Sequence, residues 1–216
     1  MARTIRRLWR RLRYGQPVIL VSGLPRSGTS MAMKMLAAGG LEVVADGVRS
    51  ADEDNPKGYF EDERIKALGQ SADKAWLRRA RGRALKVISY LLKDLPADNN
   101  YKVIFLRRDL TEVLASQSKM LERRNEASEV SDEQMLEIYR SHLWRVDYLF
   151  RHAAHLERLD VQYTDVIADP RREAERIDAF LDHRLDVERM VEAVDPQLYR
   201  NRAERSAAAE APGTPA

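Results

Sequence analysis

The chain has 216 residues, enough for one sizeable α/β core and too few for two comfortable domains, and it has no cysteine, which excludes a disulfide framework and a thiolate metal site. Its formal net charge is +3, yet residues 1–13 hold six arginines and no acid, so the body is slightly acidic and gives no reason to expect a nucleic-acid-binding domain. No apolar run approaches the ~20 residues that a bilayer span needs.

Residues 1–16 read as a basic leader. Ile5, Leu8, Trp9 and Leu12 recur at helical spacing with arginines between them. That pattern suits either an anionic membrane surface or a solvated helix packed loosely on the body. The next apolar stretch, Val18 to Val21, is too short for a signal-peptide core, so a cytoplasmic protein is expected, and on the first of these two readings one with peripheral contact at the inner membrane surface through residues 1–13. Val18 to Val21 is wholly apolar and rich in β-branched residues, the composition of a strand covered on both faces. Gly23, Pro25, Ser27 and Gly28 make a compact turn, and Thr29 and Ser30 open a periodic segment, Met31 to Leu36, that reads as a helix stopped by Gly39 and Gly40.

Further along, Leu41 to Val44 is a second short strand, and residues 45–60 form a polar loop rich in turn formers. Glu61, Asp62, Glu63 and Arg64 start a short helix through Leu68, the acids suiting its N-terminal dipole. A basic stretch, Lys74 to Arg83, leads to a strand at Leu85 to Ile88 that carries Lys86 near its end. Val103 to Leu106 is a strand ending in Arg107 and Arg108, and strand ends are where open α/β sheets bind ligands. Asp109 and Glu112 form a capping-box pattern before a helix that holds Ser116, and Ser131 with Gln134 opens the longest helix, read as core scaffold. Leu159 to Tyr163 is the last strand. Helices follow from Asp169-Pro170 through Leu181 and from Val187 to Val194, and residues 203–216 form a tail poor in bulky apolar side chains. The histidines, His142, His152, His155 and His183, lack HExxH spacing. His152 and His155 share a predicted helix, where a solvated pair is the expected reading.

Alternating strands and helices predict a single-domain, three-layer α/β fold with a parallel sheet flanked by helices, over residues 17–202. Within it, Gly23, Gly28 and Ser30 occupy the places that a P-loop, GxxxxGK[ST], gives to its glycines and hydroxyl, which makes the turn an anion site. Thr29 holds the place of the P-loop lysine. That argues against ordinary NTP hydrolysis and leaves Arg26 as the cation of the loop.

Three stretches together resemble one family. Val18 to Ser30 is similar to the phosphosulfate-binding loop of sulfotransferases that use 3′-phosphoadenosine 5′-phosphosulfate (PAPS). Arg108, eight residues before Ser116, resembles the family's 3′-phosphate-binding strand and helix. Tyr163 to Pro170, with Ile177, Phe180 and Leu181, resembles its C-terminal helical segment. The resemblance runs from Pro17 to Arg202 and implies a P-loop NTPase-like fold. Arg26 stands where many members have lysine, Leu110 replaces a common proline, and Ser89 and Tyr90 occupy the neighbourhood of the histidine base used on small phenols and steroids.

The resemblance implies a PAPS-dependent transfer of a sulfuryl group to a hydroxyl or amine of a glycan, lipid, peptide or small metabolite, with 3′,5′-ADP (PAP) as product and no metal. Pro25, Arg26, Ser27, Gly28, Thr29 and Ser30 would hold the phosphosulfate, and Arg108 and Ser116 the 3′-phosphate. Lys86 would contact the transferring group, Glu61 would act as base ahead of Asp62 and Glu63, and Arg200 and Arg202 would close over the nucleotide. Asp109 is read as a helix cap and not as a metal ligand. The alternatives are an atypical P-loop kinase or NTPase using Mg-ATP, and a non-catalytic adaptor that keeps the nucleotide fold at the membrane.

Overall fold

A computed structural model describes residues 9–46, 60, 62–123 and 130–195. Residues 9–14 form helix α1. The rest builds one five-stranded sheet from β1 (Val18–Gly23), β2 (Val43–Val44), β3 (Ala84–Lys86), β4 (Tyr101–Arg107) and β5 (Leu156–Gln162), in the order β2-β3-β1-β4-β5. All neighbouring pairs are parallel, so every strand ends on the same edge. The helices are α2 (Thr29–Ala38), α3 (Glu63–Lys66), α4 (Leu110–Arg123), α5 (Asp132–His152), α6 (Tyr163–Ala168), α7 (Pro170–Phe180) and α8 (Val187–Glu192), with 3₁₀ turns at Ala75–Ala80 and Ser89–Asp94.

β1 explains its own apolar run. It is central and fully buried, and its residues alternate between two cores. Ile19 and Val21 meet Met33 and Leu36 of α2, Ile177 of α7 and Met190 of α8. Val18 and Leu20 face the other way, toward Leu77, Leu92 and Val146. Both faces are covered, which is why the run from Val18 to Val21 is unbroken and apolar; the one polar side chain of the strand, Ser22, is buried with its hydroxyl unpaired among the described residues.

Several boundaries differ from the sequence expectation for local reasons. Leu41 does not join β2, because its N–H donates to Leu36 O at 2.9 Å and closes the end of α2. β3 runs over Ala84–Lys86 and gives way to the 3₁₀ turn at Ser89. β5 starts at Leu156, three residues earlier than expected, and Tyr163 opens α6 instead of ending the strand. Its charged residues hid it: Arg158 and Asp160 are held in a network with Arg107 of β4 and Asp147 of α5. α3 is only Glu63–Lys66, capped by Asp62, whose side chain accepts from the Arg64 N–H. His152 ends α5 whereas His155 lies beyond it, against Tyr101, so the two do not share a helical face. α5 is scaffold on one side only: Tyr139 and Val146 are buried, while Trp144 and Tyr148 are exposed.

The leader is fastened, not loose, over its described part. Arg10 Nε donates to Asn100 Oδ1 at 3.0 Å, and its Nη2 donates to the carbonyls of Ala97 and Asn99. Asn100 precedes β4, so α1 sits at the edge of the sheet opposite the strand ends, with Trp9 and Leu12 turned outward. Ile5 and Leu8, most of the 45–60 loop and the tail lie outside the described residues.

Candidate functional site

The strand ends converge on the turn between β1 and α2. Gly23, at φ +154°, has no room for a side chain: a Cβ there would lie 2.7 Å from Leu106 O and 2.4 Å from Ser27 Oγ. Ser27 ties the turn from within, its N–H and its hydroxyl both donating to Leu24 O at 3.2 and 2.7 Å. Gly28, at φ +99°, is the N-cap of α2 and offers the first turn no side-chain acceptor. Amide donors at the start of a ten-residue helix, with the positive end of its dipole behind them, form an anion site.

Three cations from three separate segments stand around this turn. Arg26 is in the left-handed region at φ +68°, and its Nε donates to Ser116 Oγ of α4 at 3.1 Å across 90 positions of sequence. Lys86 ends β3, and its Nζ donates to Ser30 Oγ at 3.3 Å. Arg108 follows β4; one Nη donates to the Arg26 carbonyl at 3.1 Å while Nε donates to Glu112 Oε2 at 2.8 Å. Arg26, Ser30, Lys86, Arg108 and Ser116 are therefore one cluster at the carboxyl edge of the sheet. Glu61, Arg200 and Arg202 lie outside the described residues.

Two members of the cluster escaped the sequence reading. Tyr163, the first residue after β5, lies flat beneath the Arg108 guanidinium at 4.5 Å, and its ring is what a Cβ on Gly28 would strike at 2.5 Å. Burial pushes its phenol above the usual range. The sequence pattern makes Glu112 half of a capping box with Asp109. Asp109 does cap α4, accepting from the Thr111 hydroxyl and N–H, and these bonds hold its carboxyl below the usual range; the Glu112 carboxylate turns instead to Arg108. The i,i+4 spacing of Arg108 and Glu112 is the signal for that pairing.

Beside Lys86, the segment Ser89-Tyr90 meets α5. Ser89 Oγ lies 2.8 Å from His142 Nε2, and the His142 and Tyr90 rings stack 3.7 Å apart. Burial, and then the charge of Arg145, push the His142 imidazole below its ordinary value, which keeps it neutral at pH 7. Asp62 is occupied differently: its buried carboxylate accepts from the Arg64 guanidinium at 2.5 Å and is held below the usual carboxylate range by that bond. Glu63 is exposed beside Lys66. Among the described residues no cluster of acids and histidines has the form of a metal site, and no helix is long and apolar enough to cross a membrane.

The sequence matches the family described as "Sulfotransferase domain" over residues 16–202, and the chain belongs to that family. Among solved structures, the sulfotransferase domain of the Synechococcus PCC 7002 olefin synthase shares the fold with a TM-score of 0.55 and 20% identity, over 92% of this chain and 90% of the other. The sulfotransferase domain from the curacin biosynthetic pathway aligns with a TM-score of 0.50 and 12% identity, over 83% of this chain and 78% of that one. No curated protein matches the sequence.

Proposed function

We propose that the protein transfers a sulfuryl group from PAPS to a hydroxyl or amine acceptor without a metal ion. One juxtaposition supports this reading: a helix N-terminus with Thr29 in place of the P-loop lysine, encircled by Arg26, Lys86 and Arg108. Arg26 and the N–H groups of Gly28, Thr29 and Ser30 hold the phosphosulfate, in a turn shaped by Pro25 and Ser27. Arg108 and Ser116 hold the 3′-phosphate, the group that distinguishes this donor from ATP, and Arg200 and Arg202 close over the nucleotide. The acceptor oxygen attacks sulfur as its proton passes to a base. The new S–O bond forms while the bond from sulfur to the bridging oxygen breaks, and PAP departs with that electron pair. Lys86 and Arg26 stabilise the charge that develops on the bridging oxygen.

Glu61 is the proposed base, since Asp62 is committed to its cap and to Arg64. Glu61→Gln should abolish turnover and leave PAP affinity unchanged. His142, neutral and held by Ser89 beside Lys86, is the second reading. An active Glu61→Gln enzyme whose turnover then collapses in His142→Gln transfers the role to the imidazole. The donor assignment is tested by thermal-shift titration: PAP should stabilise the protein in the presence of EDTA, whereas stabilisation by Mg-ATP alone would overturn it.

A further inference from the structure

The outer face of α5 carries a feature that the sulfuryl-transfer reading does not use. Trp144 is 68% exposed and Tyr148 53% exposed, and with His152 they form a ladder of stacked rings one helical turn apart, with centroid spacings of 6.0 and 4.0 Å. Aromatic rings lose more by standing in water than almost any other side chain, and neighbouring large rings on one exposed stripe mark an interaction surface. The charges along the helix are asymmetric. Asp132, Glu133 and Glu137 lie in its first two turns and Arg151 in its last, while Asp147, the acid of the C-terminal half, is taken up by Arg107 and Arg158. The helix dipole alone favours that bias. It does not account for the rings between the charged ends, nor for the symmetry of their placement: Glu137 and Arg151 each lie seven residues, about 10 Å, from Trp144, and both fall close to its azimuth on the helix.

We propose that this face binds a second copy of the same chain, with the two α5 helices antiparallel and a two-fold axis at Trp144. The axis sets Trp144 against Trp144 and places Glu137 of each copy beside Arg151 of the other. A parallel arrangement would oppose acid to acid and base to base. Among the described residues Glu137 has a single ion-pair contact, at 4.0 Å to Arg140, and both side chains are exposed, so it can reach a new partner. Four large rings and two ion pairs make an interface at the small end of the specific range, and the dimer dissociates at micromolar concentrations.

Sedimentation velocity of the full chain from about 1 to about 200 µM is the test, over the range in which a small interface assembles. The wild type should pass from monomer to dimer, and Trp144→Ser, exposed and harmless to folding as read by circular dichroism, should remain monomeric. Glu137→Arg and Arg151→Glu should each weaken the dimer about tenfold, because symmetry makes every reversal count twice. The double variant Glu137→Arg/Arg151→Glu should return to within about threefold of wild type, since the two pairs are re-formed with their signs exchanged. A wild type that stays monomeric throughout, a Trp144→Ser dimer, or a double variant no better than the single ones overturns the proposal. So does a monomeric wild type whose binding to vesicles of anionic lipid is lost in Trp144→Ser, which would assign the ladder to a membrane surface.

Discussion

Arg108→Ala should weaken PAP binding about 100-fold while changing 5′-AMP binding only slightly, and it should also cost the fold much of its stability. The second effect must be separated from the first. The side chains of Arg108 and Glu112 are 7% and 3% exposed and paired at 2.8 Å. Removing the guanidinium leaves a carboxylate buried without its cation, at a cost of about 3–5 kcal/mol. The Arg26 carbonyl also loses a donor, and the Tyr163 ring loses the cation above it. For a domain of this size that corresponds to a Tm lower by roughly 10 °C. Arg108→Ala/Glu112→Ala removes both charges and should recover most of the lost stability, because no buried charge is left without its counterion and only the donor to the Arg26 carbonyl is missing. It should not recover PAP affinity. Isothermal titration of PAP and 5′-AMP against both variants, with melting curves alongside, reads the two effects independently. If both nucleotides lose affinity equally, or if the double variant binds PAP as wild type does, Arg108 is a structural cation and the 3′-phosphate site lies elsewhere.

How much of the fold and site is legible in the sequence follows how local each signal is. The strand, turn and helix from Val18 to Leu36 could be read because burial on both faces forces an unbroken apolar run and the turn demands glycine at fixed places. β5 was clipped because an edge strand is only half buried and accommodates Arg158 and Asp160, which find their partners on β4 and α5. The reading of α5 as core scaffold holds for the stripe of Tyr139 and Val146, which is buried, and not for Ile138, Trp144 and Tyr148, which are exposed. Glu112 had two local explanations, a cap three residues after Asp109 or an ion pair four after Arg108. Only the packing of α4 against the turn decides between them. The bond from Arg26 to Ser116 had no local signal. It exists because β4 pairs directly with β1, which sets the start of α4 beside the turn. Placement of the site followed from strand ends in a parallel sheet, whereas its internal wiring depends on strand order, which one sequence does not encode in any short stretch.

Arg26→Gly should reduce sulfuryl transfer about 100- to 1,000-fold and change stability by no more than about 1 kcal/mol. Arg26 holds a left-handed conformation at φ +68°, which costs a side chain with a Cβ roughly 1–2 kcal/mol. Glycine removes that strain but brings a more disordered unfolded chain, worth about 0.5–1 kcal/mol in the opposite direction, so the two largely cancel. The Nε bond to Ser116 is lost as well, a part-buried contact of about 1 kcal/mol. Glycine would thus suit the backbone at this position at least as well as arginine, and the strained residue needs a reason beyond folding. In the proposed reaction that reason is charge on the bridging oxygen, where a fixed donor acts in the transition state and contributes far less to ground-state binding. The turnover number should therefore fall much further than PAP affinity does. Arg26→Lys separates charge from geometry: it keeps the cation and the strained backbone but loses the planar guanidinium that reaches Ser116, and its turnover should lie between glycine and wild type. Wild-type turnover in Arg26→Gly would leave Lys86 as the cation that carries the chemistry. Equal losses in Arg26→Lys and Arg26→Gly would mean that the bond to Ser116, and not the charge, is what the turn requires.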